Sequence, residues 1–149
     1  MLGLVGPEAK LEGDGPLLDR SSLVQAVCCT ATPTDLANWG ERSDGAARFG
    51  REGGLLAGPA ETLSERAKKA SPMTYVHTDA PPFLVVHGTA DRTVPVSQGD
   101  KFVKALQQIK ADVAFLRYDG AGHGVFAQHG DETFPAMETF FDRVLRKKM

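Results

Sequence analysis

Two residues in this chain have the types and the setting for acid–base chemistry. Asp91 stands in a polar turn just after an apolar run, Phe83-Leu84-Val85-Val86, that ends in His87-Gly88. His123 stands in Asp119-Gly120-Ala121-Gly122-His123-Gly124, just after a second strand-like run from Val113 to Tyr118. A carboxylate that accepts a hydrogen bond from an imidazole fixes its tautomer and stabilises the imidazolium formed when the ring takes a proton. An acid after one strand and a histidine after the next therefore form two members of a nucleophile–histidine–acid set. Imidazole as a side-chain type titrates near neutrality, and flanking glycines let a loop place it without steric conflict. The third member is missing. The serines are Ser21, Ser22, Ser43, Ser64, Ser71 and Ser97, and none is flanked in G-x-S-x-G fashion. Nor does the sequence hold an HGG-type segment to supply oxyanion donors.

The elements that must position these two residues follow from the apolar pattern. A continuous apolar run bounded by Pro82 and Gly88 reads as a strand buried on both faces, the parallel-sheet type. Residues just past the C-terminal end of such a strand lie where open α/β sheets place their ligands. Leu23 to Thr30 reads as the first strand, followed by a turn in which Thr34 or Asp35 could cap a helix. Asn38 to Pro59, rich in glycine, arginine and glutamate, reads as an excursion over the strand ends rather than a core element, and 38–70 as a whole as a cap or lid. A short helix is expected over Glu61 to Ala70, stopped by Ser71-Pro72. Val96 to Gln108 forms a helix with Phe102, Val103, Leu106 and Ile109 on one face and Lys101, Lys104 and Gln107 facing out. The last helix is expected from Asp131 or Glu132, with Phe134, Met137, Phe141, Val144 and Leu145 as its buried stripe. Arg146-Lys147-Lys148 complements its C-terminal dipole. The predicted order is β-α-β-α-β-α: an α/β fold of about three parallel strands with helices on both faces.

Composition narrows the function classes. The 149 residues suit one domain with a hydrophobic core, and 42% hydrophobic with 24% charged content is ordinary for a globular protein. A formal charge of −2 gives no electrostatic case for nucleic acid or an anionic membrane surface. No apolar run approaches the roughly 20 residues that span a bilayer, and no signal peptide is visible. The cysteines, Cys28 and Cys29, are adjacent on the first strand with side chains on opposite faces, and read as packing residues in a reducing compartment. Cytoplasmic localisation is the default for the chain as given.

From Ser71 onward the sequence resembles the C-terminal part of α/β-hydrolase esterases of the lipase and acetyl-esterase group. The matching segments are Ser71-Pro72, Asp79-Ala80-Pro81-Pro82-Phe83-Leu84, His87-Gly88-Thr89-Ala90-Asp91-Arg92-Thr93-Val94-Pro95 and Gly122-His123-Gly124-Val125-Phe126. Gln25-Ala26-Val27 and Pro33-Thr34-Asp35-Leu36 are similar to the strand and turn before them. The resemblance implies Asp91 as catalytic acid, His123 as catalytic base and a small ester as substrate, with no metal or other cofactor. A similar pair occurs in the prolyl-oligopeptidase group, which keeps a serine peptidase as the alternative. In the resembling family the serine precedes acid and histidine, so Met1-Leu2-Gly3-Leu4-Val5-Gly6 reads as the end of the helix that follows the nucleophile turn. The expectation is a C-terminal portion of a longer hydrolase, with little esterase activity alone.

Other residues carry competing readings. Trp39, Phe49 and Leu55 either line an acyl pocket or anchor the excursion to the core, and Val94 and Val125 flank the two motif residues as further substrate-contact candidates. His87 is read as a structural strand-end histidine, His77 and His129 as surface residues, and Arg92 as a brace for the acid loop or a solvated side chain. A metal site from His87, Asp91 and His123 lacks any supporting ligand spacing. A first strand left at the sheet edge, with apolar helix faces beside it, would favour a homodimer or larger assembly.

Overall fold

The computed structural model describes residues 1, 3–6, 9, 11, 15–16, 19–39, 49–50 and 53–146. Three strands form one parallel sheet in the order β1-β2-β3: β1 is Val27–Thr30, β2 is Phe83–Gly88 and β3 is Val113–Tyr118. Val27 to Thr30 lie opposite Phe83 to Val86, and Phe83 to Gly88 lie opposite Val113 to Tyr118. Helix α1, Leu63–Ala70, precedes β2; α2, Ser97–Gln108, joins β2 to β3; α3, Val125–Leu145, follows β3.

Strand periodicity sorts the core. Phe83 and Val85 turn to one face, where α2 contributes Phe102, Val103 and Leu106. Leu84 and Val86 turn to the other, where α3 contributes Val125 and Phe140. The sheet is thus the middle of three layers, and every residue of β2 is buried. Cys29 packs with the first cluster and Cys28 with the second, on opposite faces. A third apolar cluster, Leu36, Trp39, Leu56, Ala67 and Val94, lies apart from the strands. It gives part of the expected excursion a core of its own; residues 40–48, 51 and 52 lie outside the described residues.

Four expectations need correction. β1 begins at Val27, not Leu23, which is exposed. None of residues 31–39 is helical, and Thr34 is buried against α2, its hydroxyl donating to the Gln98 carbonyl at 2.7 Å, while Asp35 Oδ1 accepts the Asn38 N–H at 2.9 Å. The last helix starts at Val125 and is interrupted by non-helical backbone at His129 (φ −134°, ψ 31°). Phe134 and Leu145, at 55% and 50% exposed, leave its buried stripe, while Thr133 and Phe140 are buried in it. Met137, Phe141 and Val144 of the expected stripe do pack against the cluster around Leu84 and Val86.

Among the described residues, no strand pairs with the outer edge of β1. The N–H groups of Val27 and Ala31 donate to Pro82 and Val86 at 2.9 Å each. The strand's period of two turns the backbone of Cys28 and Thr30 the other way. A cleft of about 510 Å³ runs along this edge, lined from both faces by side chains including Val27, Cys28, Cys29, Phe102 and Phe141.

Candidate active site

The acid turn is built directly on the end of β2. Asp91 is only 7% exposed, and its Oδ1 accepts the backbone N–H groups of Thr93 at 2.8 Å and Val94 at 2.9 Å. A carboxylate closing a turn onto amides two and three residues ahead is a local structure this sequence favours by itself. His87 lies beneath the turn, fully buried, with Nε2 3.0 Å from the Val94 carbonyl and 3.5 Å from Asp91 Oδ2.

The histidine loop is stitched to the acid loop before either side chain is considered. Thr89 N–H donates to the Tyr118 carbonyl and Ala90 N–H to the Ala121 carbonyl, both at 2.9 Å. The Thr89 hydroxyl donates to Asp119 Oδ1 at 2.9 Å and accepts the Gly120 N–H at 2.8 Å. Gly120 has φ +70°, the left-handed region that glycine enters without penalty. The two loops approach closest at Gly88, where a Cβ would come within 2.2 Å of the Ala121 carbonyl oxygen. Glycine is therefore a packing requirement at Gly88, whereas a Cβ on Gly122 would meet nothing nearer than Gln128 Nε2 at 3.7 Å.

These loops bring the two motif residues together. His123 Nδ1 lies 2.8 Å from Asp91 Oδ2, with the carboxylate fully buried and the ring half exposed. A carboxylate only accepts, so Nδ1 carries the hydrogen and the other ring nitrogen, Nε2, is left for a different partner. Burial pushes the Asp91 carboxyl up, but hydrogen bonds from the Val94 N–H, the His123 ring and the Thr93 N–H, with the His123 charge, hold it below the usual carboxylate value. Asp91 is thus a fixed anion.

A cavity of about 380 Å³ opens beside His123, lined by Trp39, Phe49, Val94, Thr30 and Thr93 among others. Trp39 and Phe49 meet edge to face at 4.9 Å. Of the substrate-contact candidates, Trp39 and Val94 reach this cavity; Val125 is buried in the core against Leu84 and Val86, and Leu55 is 75% exposed. No serine or cysteine lines it among the described residues. Burial pushes the Cys28 thiol up to about 11, with Cys29 adding to the shift, and burial raises Cys29 as well, so neither is a ready thiolate.

The segment that brings Trp39 to this cavity is held by a residue that belongs to no motif. Gln98, fully buried in the first turn of α2, accepts from Thr34 N–H at 3.0 Å and Asp35 N–H at 2.7 Å through Oε1. Its Nε2 donates to the carbonyls of Asp35 at 3.2 Å and Asn38 at 3.0 Å. One side chain thereby ties the segment leading to Trp39 onto the helix that follows the acid turn. A polar residue four positions before Phe102 on the apolar stripe was its signal in the sequence. His129, expected at the surface, stacks on Tyr118 at 4.4 Å. His77 is exposed, and no group of three or more metal-binding side chains occurs among the described residues.

Comparison with known proteins agrees with this architecture. Residues 1–106 match the BD-FAE family, a span that includes Asp91 and ends before β3, and the chain belongs to that family. It is 39% identical over 85 residues to Esterase LipC of Mycobacterium tuberculosis, covering 54% of this chain and 21% of LipC. A truncated form of a carbohydrate esterase from gut microbiota superposes with TM-score 0.73 at 26% identity, over 91% of this chain and 48% of that one. A bifunctional GH43-CE protein of Bacteroides eggerthii superposes with TM-score 0.71 at 32% identity, over 91% of this chain and 19% of that one. The fold is that of the α/β-hydrolase esterases, and the chain spans half or less of these relatives. No helix among the described residues is long and apolar enough to cross a membrane.

Proposed function

We propose that these 149 residues supply the acid, Asp91, and the base, His123, of a serine hydrolase acting on small carboxylic esters. The nucleophile and the oxyanion donors come from residues outside them. The observation that carries this reading is the 2.8 Å contact between a fully buried carboxylate and a half-exposed imidazole. In the reaction, His123 Nε2 takes the proton of a serine hydroxyl as its oxygen bonds to the ester carbonyl carbon. The imidazolium, held by Asp91, then gives that proton to the departing alkoxide. Water repeats the sequence on the acyl-enzyme, returning the serine and releasing the acid. Without nucleophile and oxyanion donors, the 149 residues alone should show little hydrolysis.

A chimera tests this: the 149 residues replace the corresponding part of the gut-microbiota carbohydrate esterase. Hydrolysis of a short-chain aryl ester and labelling by a serine-directed phosphonate are expected. A folded chimera that does neither would falsify the reading, and cleavage of a prolyl amide with no ester turnover would move it to a serine peptidase.

The outer edge of β1 favours a second reading, association of the chain with a copy of itself. An unpaired strand edge flanked by an apolar cleft promotes pairing, and Val27–Thr30 carries no charged or proline residue to block it. Sedimentation should then show a dimer or larger species; a monomer at all concentrations removes this reading.

A further inference from the structure

The one buried titratable ring that the proposed chemistry leaves unused is His87. It is fully buried at the end of β2, and its Nδ1 has no hydrogen-bond partner. The Val94 carbonyl can only accept, so the Nε2 that lies 3.0 Å from it carries a hydrogen. That same Nε2 stands 3.5 Å from Asp91 Oδ2, the oxygen that holds His123. The turn is thus gripped from both sides. Asp91 Oδ1 takes the N–H groups of Thr93 and Val94, while His87 takes the carbonyl of Val94 from below. Freed from His87, the Val94–Pro95 peptide could rotate about Val94, loosening the residue whose own N–H is one of the two that fix the rotation of the carboxylate.

We infer that His87 is a positioning residue for Asp91: its Nε2–H locks the 91–94 turn so that Oδ2 faces His123. The inference rests on the Asp91–His123 pairing proposed above. The ring in turn is set by α2, because a Cβ on Gly99 would lie 2.9 Å from His87 Nδ1. The backbone of α2 therefore seats the histidine, the histidine seats the turn, and the turn seats the acid.

The chain itself, labelled with ¹⁵N, gives the test without any need for turnover. The readouts are the His123 Nδ1–H resonance, shifted downfield by its bond to the carboxylate, and the exchange protection of the Thr93 and Val94 amides. His87→Gln places an amide donor close to the position of Nε2, whereas His87→Asn is polar but places its donor near Nδ1. The Gln variant should keep the downfield resonance and the amide protection; the Asn variant should lose both, with far-UV dichroism unchanged. Retention of both signals in Asn, or their loss in Gln with the fold intact, overturns the inference. If the Asn variant does not fold, the unmodified chain decides: a His87 Nε2–H coupled to the Val94 carbonyl is expected, and a hydrogen on Nδ1 alone overturns it. Absence of the His123 signal in the unmodified chain counts instead against the acid–base pairing, and the His87 Nε2–H is then read on its own.

Discussion

The acid turn and the histidine loop are held in opposite ways. Asp91 is buried and its carboxylate meets two backbone amides and an imidazole, while His87 fixes the turn from beneath. The ring of His123 is half exposed, and the contact that orients it is the one to Asp91. Its loop is secured at the foot, by Gly88, Thr89 and Ala90, and not at the side chain. The difference fits the division of labour in the proposed reaction. An acid has only to stay still as an anion; a base has to meet a hydroxyl that another segment delivers.

The contrast can be broken most severely at Gly88. Gly88→Ala would drive a Cβ into the Ala121 carbonyl, and should cost about 3 kcal/mol in urea unfolding because backbone, not a flexible side chain, has to give way. Wild-type stability in that variant would mean that the loops are not joined by this approach. Gln98→Leu should cost about 2 kcal/mol, since it strands the buried N–H of Thr34 and the N–H of Asp35. It should also quench-shift Trp39 fluorescence as the cavity wall loosens; an unchanged spectrum would separate Gln98 from that wall.

Acidification sharpens the comparison, because it acts on the fixed member. The folded-state Asp91 carboxyl lies below its ordinary value, so its contribution to stability is complete above the unfolded value of about 3.9. That contribution is lost as pH falls through the depressed folded value. The stability gap between the wild type and Asp91→Asn should therefore be constant from neutrality down to about pH 5 and close at lower pH. A gap that does not narrow would show that the native carboxyl is not depressed. The smallest effect is expected at Gly122→Ala, within about 0.5 kcal/mol of wild type, because only a side-chain nitrogen at 3.7 Å stands near the new methyl.

That last pair of glycines shows where the sequence could be read and where it could not. The strand β2, its polar turn and the glycine-rich loop after β3 were legible because each follows from local chemistry: a continuous apolar run, an aspartate that closes its own turn, residues that bend easily. The pairing of Asp91 with His123 was legible for the same reason, since parallel neighbours deliver their C-terminal loops to one place. Flanking glycines looked like the device that frees the histidine. The structure moves the steric demand to Gly88, in the other loop, because close approach between segments is a tertiary fact with no local signature. The Gln98 clamp and the kink at His129 were illegible on the same ground: each depends on what packs opposite. Phe134 and Leu145 are exposed while Met137, Phe141 and Val144 of the same stripe pack on the sheet, so the edges of the buried face depend on what lies opposite it.

The central claim is that Asp91 and His123 act as one acid–base unit for a nucleophile supplied from elsewhere. The most direct measurement is a double-mutant cycle in the active chimera, following kcat/KM for the aryl ester with Asp91→Asn, His123→Ala and the pair. Each single change should lower the rate by about 10⁴-fold, and the double change should cost little more than either, because members of one catalytic unit are not additive. Two losses that multiply, or a chimera that turns over normally without either side chain, would contradict it.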